Sequence, residues 1–343
     1  MSKKLFVTGG AGFIGSNFIH YWLEHHPEDE IYNFDALTYA GNLHNLETIV
    51  DNPHYHFIKG DLRDRQIVNE STKNMDIIVH FAAESHVDRS ILNPEIFLET
   101  NVLGTFNLLQ AALDNHVQHF HHVSTDEVFG SLPLGTADKF TPTTKYDPRS
   151  PYSASKASSD HLVRAYGETY GLSYTITNCS NNYGPYQFPE KLFGLAITNL
   201  LEGKKVPIYG EGLNVRDWLF VTDHVSAIEK VLLGDYHHDT FLVGGLTDDI
   251  SNLDVVKQII TLMGENPDEK IEWVKDRAGH DQRYSIDWSQ TAAELGWQPT
   301  VTLEQGLQAT IDWYRTHEDW WRPLKEQAAG FFAQNYHPRG DKA

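Results

Sequence analysis

Cysteine is nearly missing from this 343-residue chain: Cys179 stands alone. One thiol excludes an intrachain disulfide, so a reducing cytoplasm is the expected location. Cys179 itself reads as a small buried hydrophobe. Positive charge is also scarce, with 27 Lys and Arg against 47 Asp and Glu and a net charge of -20. That balance excludes a nucleic-acid coat, which needs a basic face, and a polybasic membrane patch. It leaves room for an anionic small ligand, because a few local Arg and Lys can override the overall field. No stretch approaches the ~20 apolar residues of a membrane span. The apolar run Lys4-Leu5-Phe6-Val7 meets glycines too soon for a signal peptide.

What is present is a packable chain, 40% hydrophobic, without internal repeats or low-complexity tracts. Its length suits two domains, or one large α/β domain with an appendage. Strands are expected at 4–7, 30–34, 54–59, 76–81, 120–124 and 173–178. Several are continuous apolar runs, as parallel strands covered on both faces require. Between them, Asn93-Pro94 signals a helix start, with the helix continuing to about Asp114. Ser150-Pro151 opens another that runs to about Tyr170, before Gly171. Repeated strand-helix units imply an α/β fold with a doubly wound parallel sheet. After about residue 180 the rhythm changes, through an Asn-, Tyr-, Gly- and Pro-rich loop at 181–189. The expected division is a dinucleotide-binding domain at 1–180, with returns to the sheet at about 217–244. A smaller, partly interleaved substrate domain would take about 181–216 and 245–343.

Thr8-Gly9-Gly10-Ala11-Gly12-Phe13-Ile14-Gly15 follows the first strand and opens a helix. Gly9, Gly12 and Gly15 allow a tight turn, close approach to a pyrophosphate and helix-on-strand packing. The anion would sit at the helix N-terminus. Asp35 ends the second strand, 20 residues after Gly15. A carboxylate there accepts from a ribose 2′-hydroxyl and repels a 2′-phosphate, which favours NAD over NADP. Asp61 ends the third strand, where an adenine edge would lie.

Tyr152 and Lys156 are four apart on one expected helix and share a face. A nearby ammonium favours the phenolate and lowers the tyrosine pKa. Tyr152 could then take a proton from a sugar hydroxyl while a hydride leaves the same carbon. Just upstream, Ser124-Thr125-Asp126-Glu127 places two carboxylates at the end of a strand, where parallel sheets bind ligands. Two adjacent carboxylates can split their titrations, one protonated and one ionised, by burial and mutual repulsion.

With these motifs in view, the chain resembles the extended short-chain dehydrogenase/reductase family, in its NAD-dependent epimerase/dehydratase branch. The resemblance rests on 8–15, 34–46, 82–90, 124–130, 152–165, 178–192, 216–219 and 279–284, and spans nearly the whole chain. It implies a Rossmann-type fold, NAD as cofactor, dTDP-glucose as the small-molecule substrate, and a homodimer. The dimer contact would involve the helices from about Pro94 and Pro151. The implied activity is a hydro-lyase reaction: oxidation at carbon 4, elimination of water across carbons 5 and 6, and return of the hydride to carbon 6. The product would feed deoxysugar synthesis, such as rhamnose for polysaccharide.

In the residues, the resemblance implies Glu127 as base at carbon 5, Asp126 as acid for the departing hydroxyl, and Thr125 beside the carbon-4 oxygen, with Tyr152 and Lys156 completing the catalytic set. Around the cofactor it implies Phe13, Ile14, Leu37, Thr38, Leu62, Phe81, Ala82, Ala83, Ser85, Thr100 and Asn182, besides the glycines, Asp35, Asp61, Tyr152 and Lys156. Lys191, Arg216 and Arg277 are the local cations for a diphosphate. Asn181 and Asn252 are implied at the phosphates, and Pro207, Ile208 and Tyr209 at the nucleobase. Ser85 and His86 are implied near the sugar, with Leu192, His280 and Tyr284 completing the substrate set. Departures from the family pattern are Ala36, Phe129, Ala278 and Gln282. A 4-epimerase, or a dehydratase of UDP- or GDP-sugars, is the nearest alternative. A non-catalytic dinucleotide sensor would have no need of Asp126, Glu127, Tyr152 and Lys156. The spacings of the 19 histidines, such as His25-His26, His121-His122 and His237-His238, lack a paired ligand frame, so no metal is expected.

Overall fold

The computed structural model describes residues 2–246, 249–276 and 280–335. Its first half alternates strands and helices: β1 (Lys4–Thr8), α1 (Phe13–His25), β2 (Glu30–Asp35), β3 (Tyr55–Lys59), α2 (Arg65–Ser71), β4 (Ile77–His80), α3 (Val87–Leu92), α4 (Pro94–Phe97), α5 (Thr105–Asp114), β5 (His119–Thr125), α6 (Pro151–Tyr170) and β6 (Tyr174–Cys179). A later strand, β11 (Asp239–Val243), pairs with β6 and completes a seven-stranded sheet in the order β11-β6-β5-β4-β1-β2-β3. Every pairing in it is parallel. The doubly wound architecture expected from the strand-helix rhythm is therefore present. The strand order reverses between β1 and β4, and such a switch point opens a crevice at the carboxyl ends of the strands.

Side-chain alternation divides the core. Leu5, Val7, Ile31, Val79 and Val123 point to one face, where Phe18 and Trp22 of α1 meet Val225 and Ile228. Phe6, Phe34, Ile78, Phe120 and Ile176 point to the other, against Val68 of α2, Leu108 of α5 and Val163 of α6. Strands buried on both faces explain why the sequence reads as unbroken apolar runs. The helix from Ser150 is capped at both ends as its sequence implies. The Ser150 and Ser153 side chains form a reciprocal capping box, and Gly171 closes the helix at φ 72°, ψ 22°.

The helix expected at 94–114 is interrupted. Between α4 and α5 the chain makes a π-helical turn at Leu98–Gly104. Its buried Asn101 donates to the Glu84 carbonyl and to Ser155 Oγ, and accepts from the Glu84 amide, so the wide turn delivers a side chain that ties three segments together. Propensity carries no signal for such a bulge.

The remaining elements are β7 (Asn181–Tyr183), α7 (Leu192–Leu201), β8 (Val206–Tyr209), β9 (Val215–Arg216), β10 (Trp218–Phe220), α8 (Val221–Leu233), β12 (Ile250–Ser251), α9 (Asn252–Leu262), α10 (Pro267–Lys270), β13 (Ile271–Val274), α11 (Ser289–Leu295), α12 (Leu303–Thr316) and α13 (Glu318–Asn335). Three two-stranded ribbons, β7·β10, β9·β12 and β8·β13, sit among these helices. A separate core of Phe193, Ile197, Trp218, Val256, Ile260, Ile311 and Trp321 holds them together. Among the described residues no helix is long and apolar enough to cross a membrane.

Candidate active site

A cleft of about 460 Å³ runs along the carboxyl ends of the strands, between the sheet and the ribbons. That is the size and place of a small-molecule site in an open α/β sheet.

One end is built from backbone. Gly9 has φ +71°, and a Cβ there would lie 2.6 Å from the backbone of Ala82. A Cβ on Gly15 would lie 2.3 Å from the Gly9 carbonyl oxygen. Glycine at these two positions is thus a steric requirement. The loop delivers the N-terminus of α1 to the cleft, with Gly12, Phe13 and Ile14 on the wall. Asp35 organises the same corner: Oδ2 accepts from the Ala11 amide at 3.0 Å and Oδ1 from the Leu37 amide at 2.8 Å. Burial pushes this carboxyl up, while those two amides pull it back. A helix N-terminus for a pyrophosphate beside a carboxylate for a ribose fits a dinucleotide such as NAD. Thr38, Asp61, Leu62, Phe81, Ala82, Ala83 and Thr100 line this end too.

Two details at this end differ from the sequence pattern. Leu37 takes a left-handed φ of 54° and contributes its amide to Asp35; it is not on the cleft wall. Asp61 lies beyond the end of β3 at Lys59, and its carboxylate is engaged by Arg63 at 2.7 Å. The Arg63 hydrogen bonds hold that carboxyl below its usual range against partial burial. Arg63 lines the cleft and was missed, although its place two residues after Asp61 could have signalled it.

The other end is built from side chains. β5 finishes at Thr125 and passes into a 3-10 turn, Asp126–Phe129, where Thr125 Oγ1 accepts from the Glu127 amide at 3.2 Å. This aims Glu127 into the cleft and tucks Asp126 behind the wall. Burial, then Glu127 and Asp217, push the Asp126 carboxyl well above the usual range, with Arg216 opposing. Among the described residues, Asp126 Oδ2 has no hydrogen-bond partner. A buried, neutral acid beside an ionisable one is the division that two close carboxylates allow.

Tyr152 and Lys156 come from the first turns of α6, share a face, and both reach the cleft. The expected lowering of the tyrosine pKa is not what the geometry gives. The Tyr152 phenol is pushed well above its usual value by burial, then by Glu127, Cys179 and Asp126. Lys156 Nζ meanwhile donates to the Val123 carbonyl at 2.9 Å. Desolvation and acidic neighbours raise the phenol, while the ammonium is engaged by the strand behind it. Cys179 is buried, as read, and its thiol is pushed up to about 12 by burial.

Between these ends lies the expected substrate wall. Ser85 and His86 line it after β4, Asn181 and Asn182 on β7, Lys191 and Leu192 at the start of α7, and Pro207, Ile208, Tyr209, Arg216, Asn252 and His280 beyond them. Lys191 Nζ donates to the Ser85 carbonyl at 3.1 Å, and Tyr209 to Asp88 at 3.1 Å. Tyr284 does not reach the wall: it is buried behind Arg216, whose guanidinium lies 4.2 Å over its ring, and its hydroxyl donates to Asp281. Arg277, with Ala278, lies outside the described residues. Phe129 packs against Phe140 and Tyr146 at 5.2 Å, so no hydroxyl is missing from the cleft itself. Sequence reasoning also missed Glu190, a buried carboxylate on the wall that accepts from Arg89 at 2.7 Å.

The family model described as GDP-mannose 4,6 dehydratase matches residues 6–310. The chain belongs to the nucleotide-sugar 4,6-dehydratase family. It is 48% identical over 324 residues to a dTDP-glucose 4,6-dehydratase of Mycobacterium tuberculosis, covering 94% of this chain and 96% of that one. It is 46% identical to an Escherichia coli dTDP-glucose 4,6-dehydratase, covering 98% and 99%. Among solved structures, the dTDP-glucose 4,6-dehydratase DesIV of Streptomyces venezuelae, with NAD and dTDP bound, superposes with a TM-score of 0.91 at 46% identity. That match covers 94% of this chain and all of the other.

Proposed function

We propose that the chain converts dTDP-glucose to dTDP-4-dehydro-6-deoxyglucose and water. The observation that carries this reading is the acidic turn after β5, which faces Tyr152 across one cleft whose far end is a dinucleotide cradle. The names of the relatives supply the nucleotide.

Bound NAD supplies the acceptor, and later the donor, of the hydride. The chain's own groups move protons. Tyr152, ionised to the phenolate, takes the carbon-4 hydroxyl proton, with Thr125 beside that oxygen; the Lys156 ammonium and the positive ring of bound NAD would favour that ionisation against burial and the nearby carboxylates. The new ketone acidifies carbon 5, whose proton goes to Glu127. Asp126, buried and held protonated, gives its proton to the leaving hydroxyl. Asp126 lies behind the wall, so its carboxyl reaches the substrate by a rotamer change or through Glu127. Arg216, Lys191 and Asn252 hold the diphosphate, with Pro207–Tyr209 against the base. Residues at about 181–216 and 245–343 form the substrate-binding portion.

A GDP-sugar reading follows from the name of the matching family model. Against it stands Asp35, whose carboxylate repels the 2′-phosphate of NADP and so favours NAD. The exposed Ile91, Leu92, Leu98 and Leu103 support a homodimer across the α3–α5 face, and the lone buried thiol suits the cytoplasm. Rhamnose for surface polysaccharide is the pathway this product would serve.

Product analysis with dTDP-, UDP- and GDP-sugars tests the assignment. dTDP-glucose should give a 4-keto product without net NADH. Turnover of UDP- or GDP-sugars alone would overturn the nucleotide, and an epimerised product would overturn the reaction.

A further inference from the structure

Beneath the chemical end of the cleft lies a second polar layer that the reaction above does not use. Tyr152, Lys156 and Asp160 recur every four residues along α6 and so share one face. Asp160 is fully buried. Its Oδ2 accepts from Tyr146 at 2.8 Å, from Ser124 at 2.9 Å and from Asn178 at 3.3 Å. Its Oδ1 faces Nε2 of the fully buried His122 at 3.2 Å. The same nitrogen lies 3.5 Å from Lys156 Nζ and 3.3 Å from Ser159 Oγ. Ser159 donates to the Lys156 carbonyl at 2.8 Å, so it faces His122 as an acceptor. With the imidazole proton on Nε2, that nitrogen bridges Ser159 and Asp160; with it on Nδ1, Nε2 accepts from Lys156, and in either case His122 stands between Lys156 and Asp160.

Burial at the base of the cleft lowers the Lys156 ammonium, and Asp160 heads the influences that oppose this, as a buried ammonium needs a counter-charge. The groups facing Lys156 come from four elements: His80 on β4, His122 on β5, Cys179 on β6, and Tyr152 and Asp160 on its own helix. Burial pushes His80 and His122 down, the latter to about 4, and pushes the Cys179 thiol and the Tyr152 phenol up. Asp126 and Glu127 face Tyr152 instead. Asp160 is different. Burial would raise it, but His122, Lys156 and Ser124 outweigh that and hold it below the usual carboxylate range. Arg164, the other cation nearby, is engaged by Tyr146 at 3.2 Å.

We propose that Asp160 is a positioning residue: it is the buried counter-ion that, across His122, keeps the Lys156 ammonium charged and in place beneath Tyr152. The inference rests on the dehydratase reading only for its kinetic consequence.

The test follows Lys156 directly, by carbon-13 NMR of its labelled Cε in the full-length protein, with the resonance assigned by its loss in Lys156→Arg. Asp160→Asn should lower the Lys156 titration midpoint by at least about one pH unit, the usual scale for a lost opposite charge. The alkaline limb of the carbon-4 oxidation rate should move the same way with KM unchanged, and Asp160→Glu should restore part of both. A midpoint unmoved in Asp160→Asn, even with a lowered Tm, would make Asp160 merely structural and overturn the proposal. Should Asp160→Asn not fold, the wild type carries the test. The Lys156 resonance must respond when the Asp160 carboxyl is protonated, followed through its own labelled Cγ; a flat response overturns the proposal. A wild type that turns over no nucleotide sugar would sink the functional reading and leave the NMR result standing.

Discussion

The two ends of the cleft are made of different material. The nucleotide end is backbone: Gly9, Gly15 and the first turn of α1 shape it, and Asp35 holds its loop through main-chain amides. The chemical end is side chain: Asp126, Glu127, Tyr152 and Lys156 converge from two elements, and three of the four are buried. Backbone cradles depend on shape, whereas converging titratable groups depend on one another's charge. Substitutions at the two ends should therefore fail in different ways.

The largest effect is expected at the chemical end. Tyr152→Phe removes the proton acceptor for carbon-4 oxidation and should lower kcat by about 10²–10⁴-fold while the protein still binds NAD. A kcat within threefold of wild type would remove Tyr152 from the chemistry. Glu127→Gln should cost a comparable factor, but at a later step. Carbon 4 is still oxidised, so reduced-nicotinamide absorbance should accumulate on the enzyme, and normal turnover would refute the assignment of Glu127 as the base.

At the nucleotide end, Gly9→Ala should act through sterics alone. Its Cβ would press on the Ala82 backbone at 2.6 Å in a left-handed conformation. The cost is about 1–3 kcal/mol of strain, read as a lower Tm and weaker NAD binding. The pH profile of the residual activity should be unchanged. A shifted pH profile would dissolve the distinction between the two ends.

Much of the nucleotide end was legible in the sequence because a glycine forced by backbone contact leaves its mark in the one-dimensional pattern, and Asp35 ends the second strand 20 residues after Gly15. The doubly wound sheet was legible because several of its strands are apolar runs. The chemical end was legible as a set of residue types but not as a set of states. Nothing in Tyr-x-x-x-Lys says that Lys156 bonds the Val123 carbonyl, or that burial and carboxylates drive Tyr152 upward. The π turn at 98–104 and the burial of Tyr284 behind Arg216 likewise depend on tertiary contacts. Glu190 lay in a loop stretch with no periodic signal, and only folding pairs it with Arg89.

Asp126→Asn sharpens the comparison further, through stability. The Asp126 carboxyl is raised in the folded protein, mainly by burial and by Glu127. The folded state therefore holds a proton that the unfolded chain releases in the ordinary carboxylate range. Its stabilising contribution is fully present below that range and is lost as pH rises through the raised folded value. An amide never ionises, so the Tm difference between Asp126→Asn and wild type should turn in favour of the variant as pH rises. A difference that is flat with pH would mean that Asp126 is not the protonated member of the pair.

The smallest effect returns to the nucleotide end. Arg63 pairs with Asp61 and with Glu99, but all three side chains are a third or more exposed, at 43%, 34% and 41%. Solvent and salt screen such contacts, and an exposed pair contributes about 0–1 kcal/mol. Arg63→Ala should leave Tm within a few degrees and kcat unchanged. It should weaken NAD binding by no more than about fivefold at low salt, which corresponds to the upper end of that range, with the difference shrinking as ionic strength rises. Titration of the apoprotein with NAD at two salt concentrations checks this. A salt-independent loss of binding would make Arg63 a direct, desolvated contact of the cofactor, and part of the nucleotide end would then depend on side-chain charge as the chemical end does.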